Sequence, residues 1–334
     1  MDTLTQIALG AAVGEAVMGR QIGRKALLWG GIFGTLPDLD VFVPLGNAVM
    51  DFTYHRAASH SLFVLALLTP LLVWLVNRIH PQHRDLTKRW AFMIYAVFVT
   101  HVLLDSFTTY GTQIFWPIDN TPVALSTIFI IDPLYTLPLV AGIIIALVSR
   151  NRGYAWNSAA LVISTLYLAW TAGAKLHVDA QIEDALQQQQ IEHRAVFTTP
   201  APFNSLLWRA VVMDENGYYE GYYSVLDGDN NIPFRHYPSE KNLLAGLEDD
   251  WNTQRLQWFS KGFYSVRNEG NQVVISDLRM GYEPDYVFSF AVAELGNPHA
   301  SAIRPVQLQP NRDWSLLEKI WARIWDRQVV LVAG

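Results

Sequence analysis

Histidine and aspartate recur at close spacing in three short stretches of an otherwise apolar chain: Asp38 and Asp40 in PDLD, His55 and His60 in YHRAASHS, and His101 and Asp105 in HVLLD. The i, i+4 pair His101 and Asp105 projects from one face of a helix, where an imidazole and a carboxylate can hold one cation. Three imidazoles and three carboxylates without a thiolate make a hard-to-borderline donor set. It suits a divalent metal, Zn²⁺ first and Mn²⁺ or Fe²⁺ next, and is large enough for one or two ions with a bridging carboxylate. Such a site acidifies a bound water and polarises an ester or phosphoryl oxygen, so hydrolysis is the expected reaction. Cysteine is absent, which excludes thiolate zinc sites, disulfides and Cys nucleophiles. Each stretch alone has a plainer reading: a helix-stabilising His–Asp bond, a turn and cap at PDLD, and interfacial histidines at 55 and 60.

Arg56 is the only basic residue in the outer connections between apolar segments. It is either an anion clamp for a phosphate or carboxylate or the partner of an acid such as Glu15. Glu15, inside the first apolar segment, is a candidate general base or outlying ligand, with packing and an ion pair as the plain alternative. Ser59 and Ser61 read as caps of the next helix, because no Gly-x-Ser-x-Gly elbow surrounds them. Asp119 and Asp132 read as turn or cap residues, and His177, His193, His236 and His299 as unpaired histidines of a solvated domain.

The elements that must position these groups are apolar. The chain has 334 residues, 51% hydrophobic and only 16% charged. Ser61 to Val76, Trp90 to Leu104 and Leu134 to Val148 are long and apolar enough to span a bilayer. Ala155 to Ala174 is similar, and the shorter, Gly-rich Leu4 to Met18 and Ala26 to Leu36 complete an expected bundle of about six membrane segments. Gly10 and Gly14 have the small-xxx-small spacing that lets membrane helices approach closely. Arg20, Arg24, Lys25, Arg78, Arg84, Lys88, Arg89, Arg150 and Arg152 fall in alternate connections. By the positive-inside rule these are cytoplasmic, so the 37–60 and 105–131 connections and everything after Ala174 are extracytoplasmic.

Residues 175–193 read as a polar stalk helix, and residues 194–334 as a smaller α+β domain. Within that domain a hairpin turns at Asn216-Gly217, and further strands lie in FYSVRNEGNQVVISDLRMG and YVFSFAVAE. The run SEKNLLAGLEDDWNTQRLQWF reads as a helix capped by Ser239, and DWSLLEKIWARIW as a terminal amphipathic helix. The second half of the chain carries fourteen basic against twenty-one acidic residues, which argues against nucleic-acid binding. Membrane lipids are the expected partners.

The order DTLTQ, GTLPDLD, YHRAASHS, HVLLDSFTTYGT over roughly residues 1–175 resembles the YdjM-type family of bacterial inner-membrane proteins, taken to be metal-dependent hydrolases. The resemblance implies Asp38, Asp40, His55, His60, His101 and Asp105 as the metal-associated set, with Arg56 in the same HR motif. It also implies a multi-pass location in the bacterial inner membrane. An all-helical His/Asp cluster is more remotely similar to the zinc-dependent phospholipase C and nuclease group, which implies a phosphoester substrate. Where many members carry Thr-His near the N-terminus, this chain has Thr5-Gln6, so no ligand role carries over to that position. The expected activity is hydrolysis of a lipid-linked ester or phosphoester. The alternative is a non-catalytic membrane metal-binding, transport or regulatory protein.

Overall fold

Apolar surface dictates the first half of the computed structural model, which describes residues 1–149, 153–229, 231–311 and 315–331. The chain divides into two compact units, one of residues 1–43 and 55–171 and the other of residues 44–54 and 172–334.

In the first unit, α1 (Thr3–Ile22) and α2 (Lys25–Thr35) form a tight hairpin. Asp2 caps α1 by accepting from the Thr5 amide. The helices touch along Gly10 and Gly14 on one side and Gly30 and Gly34 on the other. A Cβ on Gly30 would land on the Gly10 carbonyl oxygen, so only glycine permits this spacing. A 3₁₀ turn, Pro37–Phe42, follows α2, and another, Ala58–His60, precedes α4 (Leu62–Ile79). Helix α5 (Thr87–Phe107) is central: Trp90, Met93, Ile94, Val97 and Phe98 are fully buried. By contrast α4 leaves Leu67 81% exposed, as a lipid-facing helix does. Helix α6 (Pro133–Val148) is capped by Asp132, as expected, and Ser61 caps α4.

Among the described residues, three stretches are long and apolar enough to cross a membrane: α4, Pro81–Phe107 and α7 (Gly153–Gln188), with α6 a shorter apolar helix. The expected count of six is therefore not reached on these criteria. Helix α2, at eleven residues, rises only about 16 Å, roughly half the hydrocarbon thickness. The expected sixth segment and stalk are one unbroken helix, α7. Arg150 and Arg152 lie outside the described residues.

The second unit has two antiparallel four-stranded sheets. The first, in order β1-β2-β3-β4, comprises Ala195–Pro200, Leu207–Met213, Gly217–Ser224 and Arg235–Pro238. The last turns of α7 cover it, with Val178, Ile182 and Leu186 against Trp208, Ala210 and Val212. The second sheet, in order β10-β9-β6-β5, uses β5 (Tyr264–Glu269), β6 (Gln272–Asp277), β9 (Ser289–Glu294) and β10 (Ser301–Leu308), and β7 (Gly281–Tyr282) pairs with β8 (Asp285–Tyr286). The hairpin and the later strands stand where the alternation places them, but the turn spans Asp214–Gly217, with Met213 paired to Tyr218 and Asp214 accepting from the Asn216 and Gly217 amides, and is not a two-residue Asn216-Gly217 turn. The helix expected from Ser239 does not form as one. A 3₁₀ turn at Lys241–Leu244 is cut off by Gly246 at φ +86°, and α8 (Trp251–Phe259) starts afresh with Asp250 as its cap. Helix α9 (Ser315–Trp325) buries Leu316, Ile320 and Ile324 beside Leu207.

One feature of this unit is not announced by the sequence. Helix α3 (Ala48–Tyr54) leaves the connection between the two 3₁₀ turns and docks here. Phe52 stacks on Phe288 at 4.4 Å and meets Phe259 at 4.8 Å, while Asn47 bonds Asn252 and Thr53 accepts from Arg255.

Candidate metal centre

The end of α2, the approach to α4 and the end of α5 meet at one end of the first unit. They bring Asp38, His60, His101 and Asp105 together, one donor atom from each lying within 4.8 Å of all the others. His101 and Asp105, a turn apart on α5, point the same way because of the helical period. Asp38 comes from the Pro37–Phe42 turn and His60 from the Ala58–His60 turn.

Hydrogen bonding settles which ring nitrogens face the centre. His101 Nδ1 lies 2.8 Å from the Gly34 carbonyl oxygen; a carbonyl only accepts, so Nδ1 carries the proton and Nε2 has a free lone pair. Ser59 donates its single hydroxyl proton to Asp40 at 2.6 Å. It must then accept from His60 Nδ1, 2.9 Å away, which leaves His60 Nε2 bare as well. The two Nε2 atoms are 3.2 Å apart, and Asp105 Oδ2 lies 3.1 Å from the first and 3.5 Å from the second. Asp38 Oδ1 is 3.4 Å from His60 Nε2 and 3.5 Å from His101 Nε2. Four lone-pair donors facing one another repel unless a cation lies among them.

The residues present fit a divalent metal. Buried Asp105 Oδ2 has no hydrogen-bond partner, a costly arrangement that an ion relieves. Two imidazoles and two carboxylates are an N/O donor set of the size zinc takes. Burial lowers the affinity of His60 for a proton, but a proton placed on Nε2 would bond Asp105 and Asp38, which outweighs burial and raises the His60 pKa above the usual histidine value. A proton is therefore the competitor for the centre. Three of the four side chains are 0–1% exposed, and Asp38 at 17% forms the open side.

The remaining candidates stand around this group. Asp40 is not among the four: its Oδ2 is 4.0 Å from the outward-facing His60 Nδ1, and it acts through Ser59. Burial pushes the Asp40 carboxyl up, but the His55 hydrogen bond and charge hold its pKa down at about 2. His55 Nδ1 bonds Asp40 Oδ1 at 2.9 Å and is likewise outside the four. Ser59 is thus no helix cap but the link from Asp40 to His60.

Arg56 is 3% exposed and sits at φ +62°, a conformation rare for a long side chain. Its amide donates to Asp40, its Nε lies 3.4 Å from Asp105 Oδ2, and its Nη1 donates to Thr108. Its acidic partner is Asp105, not Glu15. Glu15 is nine residues along α1 from Gln6, about 13 Å. Its Oε2 is buried without a partner, and no bond joins it to the cluster among the described residues.

Gln6 is a contributor that motif spacing does not assign. It is 1% exposed, and its Nε2 donates to Asp105 Oδ1 at 2.9 Å, beside the Met1 amino group. The supporting Gly34 carbonyl leaves no trace in side-chain chemistry at all.

Residues 1–178 match the family described as YdjM inner membrane protein. The chain is also similar to Uncharacterized protein YfhP of Bacillus subtilis, 26% identical over 313 residues, which is 89% of this chain and 92% of that protein. No solved structure matches.

Proposed function

We propose that this chain, which belongs to the YdjM inner membrane protein family, is a membrane-bound metal-dependent hydrolase acting on a lipid-linked ester or phosphoester. The observation that carries this reading is the pair of bare Nε2 atoms at 3.2 Å facing two carboxylates. Asp38, His60, His101 and Asp105 would hold one divalent ion, Zn²⁺ by preference. When bound, the ion supplies Lewis-acid activation of water and charge for the developing oxyanion. The chain's own residues do the rest. Gly34 and Ser59 fix the histidine tautomers, Asp40 holds Ser59, and Arg56 and Gln6 hold Asp105 in place. The open side at Asp38 favours catalysis over a closed structural site.

The alternation of basic residues supports six apolar segments in the membrane, with the metal end and the second unit extracytoplasmic. An alkaline phosphatase fusion after residue 190 is active in that orientation and inactive in the opposite one. The test of function is metal content and release of phosphate or acid from a lipid panel, wild type against His101→Ala. Loss of both supports the proposal, and unchanged metal content in the variant removes the site.

A further inference from the structure

The turn that supplies Asp38 and Asp40 has a second face. Its acids point inward, whereas Val41, Phe42 and Val43 are 67%, 79% and 55% exposed. A second exposed apolar stretch lies beside the start of α4. Ser61 donates to the Trp116 carbonyl, which fixes the 113–118 stretch beside the start of α4, and there Phe115 and Ile118 are 47% and 79% exposed. Soluble surfaces rarely gather such side chains, and gathered ones mark a ligand or membrane contact. The rim is continuous in sequence with the apolar helix α2 on one side, and its other edge is pinned to the first residue before the lipid-facing helix α4.

The occupant follows from the chemistry on either side. A polar group reaching the open Asp38 edge passes the turn whose other face exposes Val41 and Phe42. We infer that this rim, at the extracytoplasmic end of the apolar helices, dips into the outer leaflet and seats the hydrocarbon chain of an amphiphile whose ester or phosphoester head faces the Asp38 side of the cluster. The substrate class is then a lipid presented laterally from the membrane, not a water-soluble ester. This inference rests on the proposed metal centre but needs no turnover.

The test uses the full chain, zinc-loaded, in phospholipid nanodiscs, with a long-chain alkylphosphonate that carries a diazirine in its chain and is not hydrolysed. Photolabelling is expected on the peptides holding residues 41–43 and 115–118, and to fall at least tenfold in Phe42→Ser and in Ile118→Ser. A short-chain phosphonate competes poorly. Equal labelling in wild type and both variants, or labelling confined to other segments, overturns the inference. Lipid-panel turnover is scored separately: labelling without turnover counts against hydrolysis and leaves the chain seat standing, whereas turnover without rim labelling removes the seat and leaves hydrolysis standing.

Discussion

Replacing Asp40 with asparagine separates a metal ligand from a residue that orients one. Asp40 lies behind His60, 4.0 Å from the nitrogen that faces away from the cluster, and reaches it only through Ser59 at 2.6 and 2.9 Å. Asparagine keeps the shape but removes the charge that fixes the direction of the Ser59 hydroxyl, so His60 no longer holds one tautomer. Partners of this kind are worth about 10–100-fold in metal affinity, roughly 1.4–2.7 kcal/mol. Zinc competition against a chromophoric chelator in detergent should show a loss of that size for Asp40→Asn and a larger one for Asp38→Asn or His60→Ala. Ser59→Ala breaks the same path, so the double variant Asp40→Asn/Ser59→Ala should lose little more than the worse single variant. A loss in Asp40→Asn equal to that in His60→Ala would make Asp40 a ligand, and fully additive losses would show that Ser59 is not the link.

Other expectations follow from the same geometry. Gly30→Ala forces α2 from α1 and shifts the Gly34 carbonyl that holds His101, so both thermal stability and zinc affinity should drop; an unchanged Tm would refute the close approach. Phe52→Ala empties an aromatic cluster and should cost about 3–5 kcal/mol in denaturant unfolding of the second unit; a loss below about 1 kcal/mol would show that α3 is not docked there. For pH, a raised His60 pKa means that its contribution to metal-free stability is present in acid and lost as pH rises through that pKa. Metal binding displaces the proton and runs the other way. The rise in Tm caused by zinc should therefore grow from about pH 5.5 to about pH 7.5; a zinc increment that shrinks over that range would exclude His60 as a ligand.

How much of this was legible depended on whether the controlling contact was local. HVLLD declared itself because a helix brings i and i+4 together whatever else the chain does. The β2–β3 hairpin did so because its flanking strands alternate, although its turn is closed by Asp214, which accepts from the Asn216 and Gly217 amides. The 239–259 run failed as one helix because Gly246 adopts φ +86°, a choice made by the fold around it. Helix α3 could not be foreseen: its seven residues are too few to show a helical period, and Phe52 finds its partners more than two hundred positions away. The acids and histidines at 38, 40, 55 and 60 were visible as a group. Which of each pair faces the centre was not, because that is set by the two 3₁₀ turns that carry Asp38 and His60.

Arg56 marks the limit most clearly. Its residue type allowed it to clamp an anion or to pair with an acid such as Glu15, and the geometry pairs it with Asp105. A buried guanidinium beside Asp105, with its backbone held in the left-handed region by bonds to Asp40 and Gln113, is placed to oppose the carboxylate's charge. Breaking such a pair costs about 3–5 kcal/mol because the surviving charge is left uncompensated. Removing Arg56 should therefore lower the stability of the metal-free protein more than that of the zinc-loaded protein, since the ion takes over the balancing of Asp105. An anion clamp acting on substrate would give the opposite pattern, with stability kept in both states and only turnover lost. Unfolding of Arg56→Gln with and without zinc distinguishes the two.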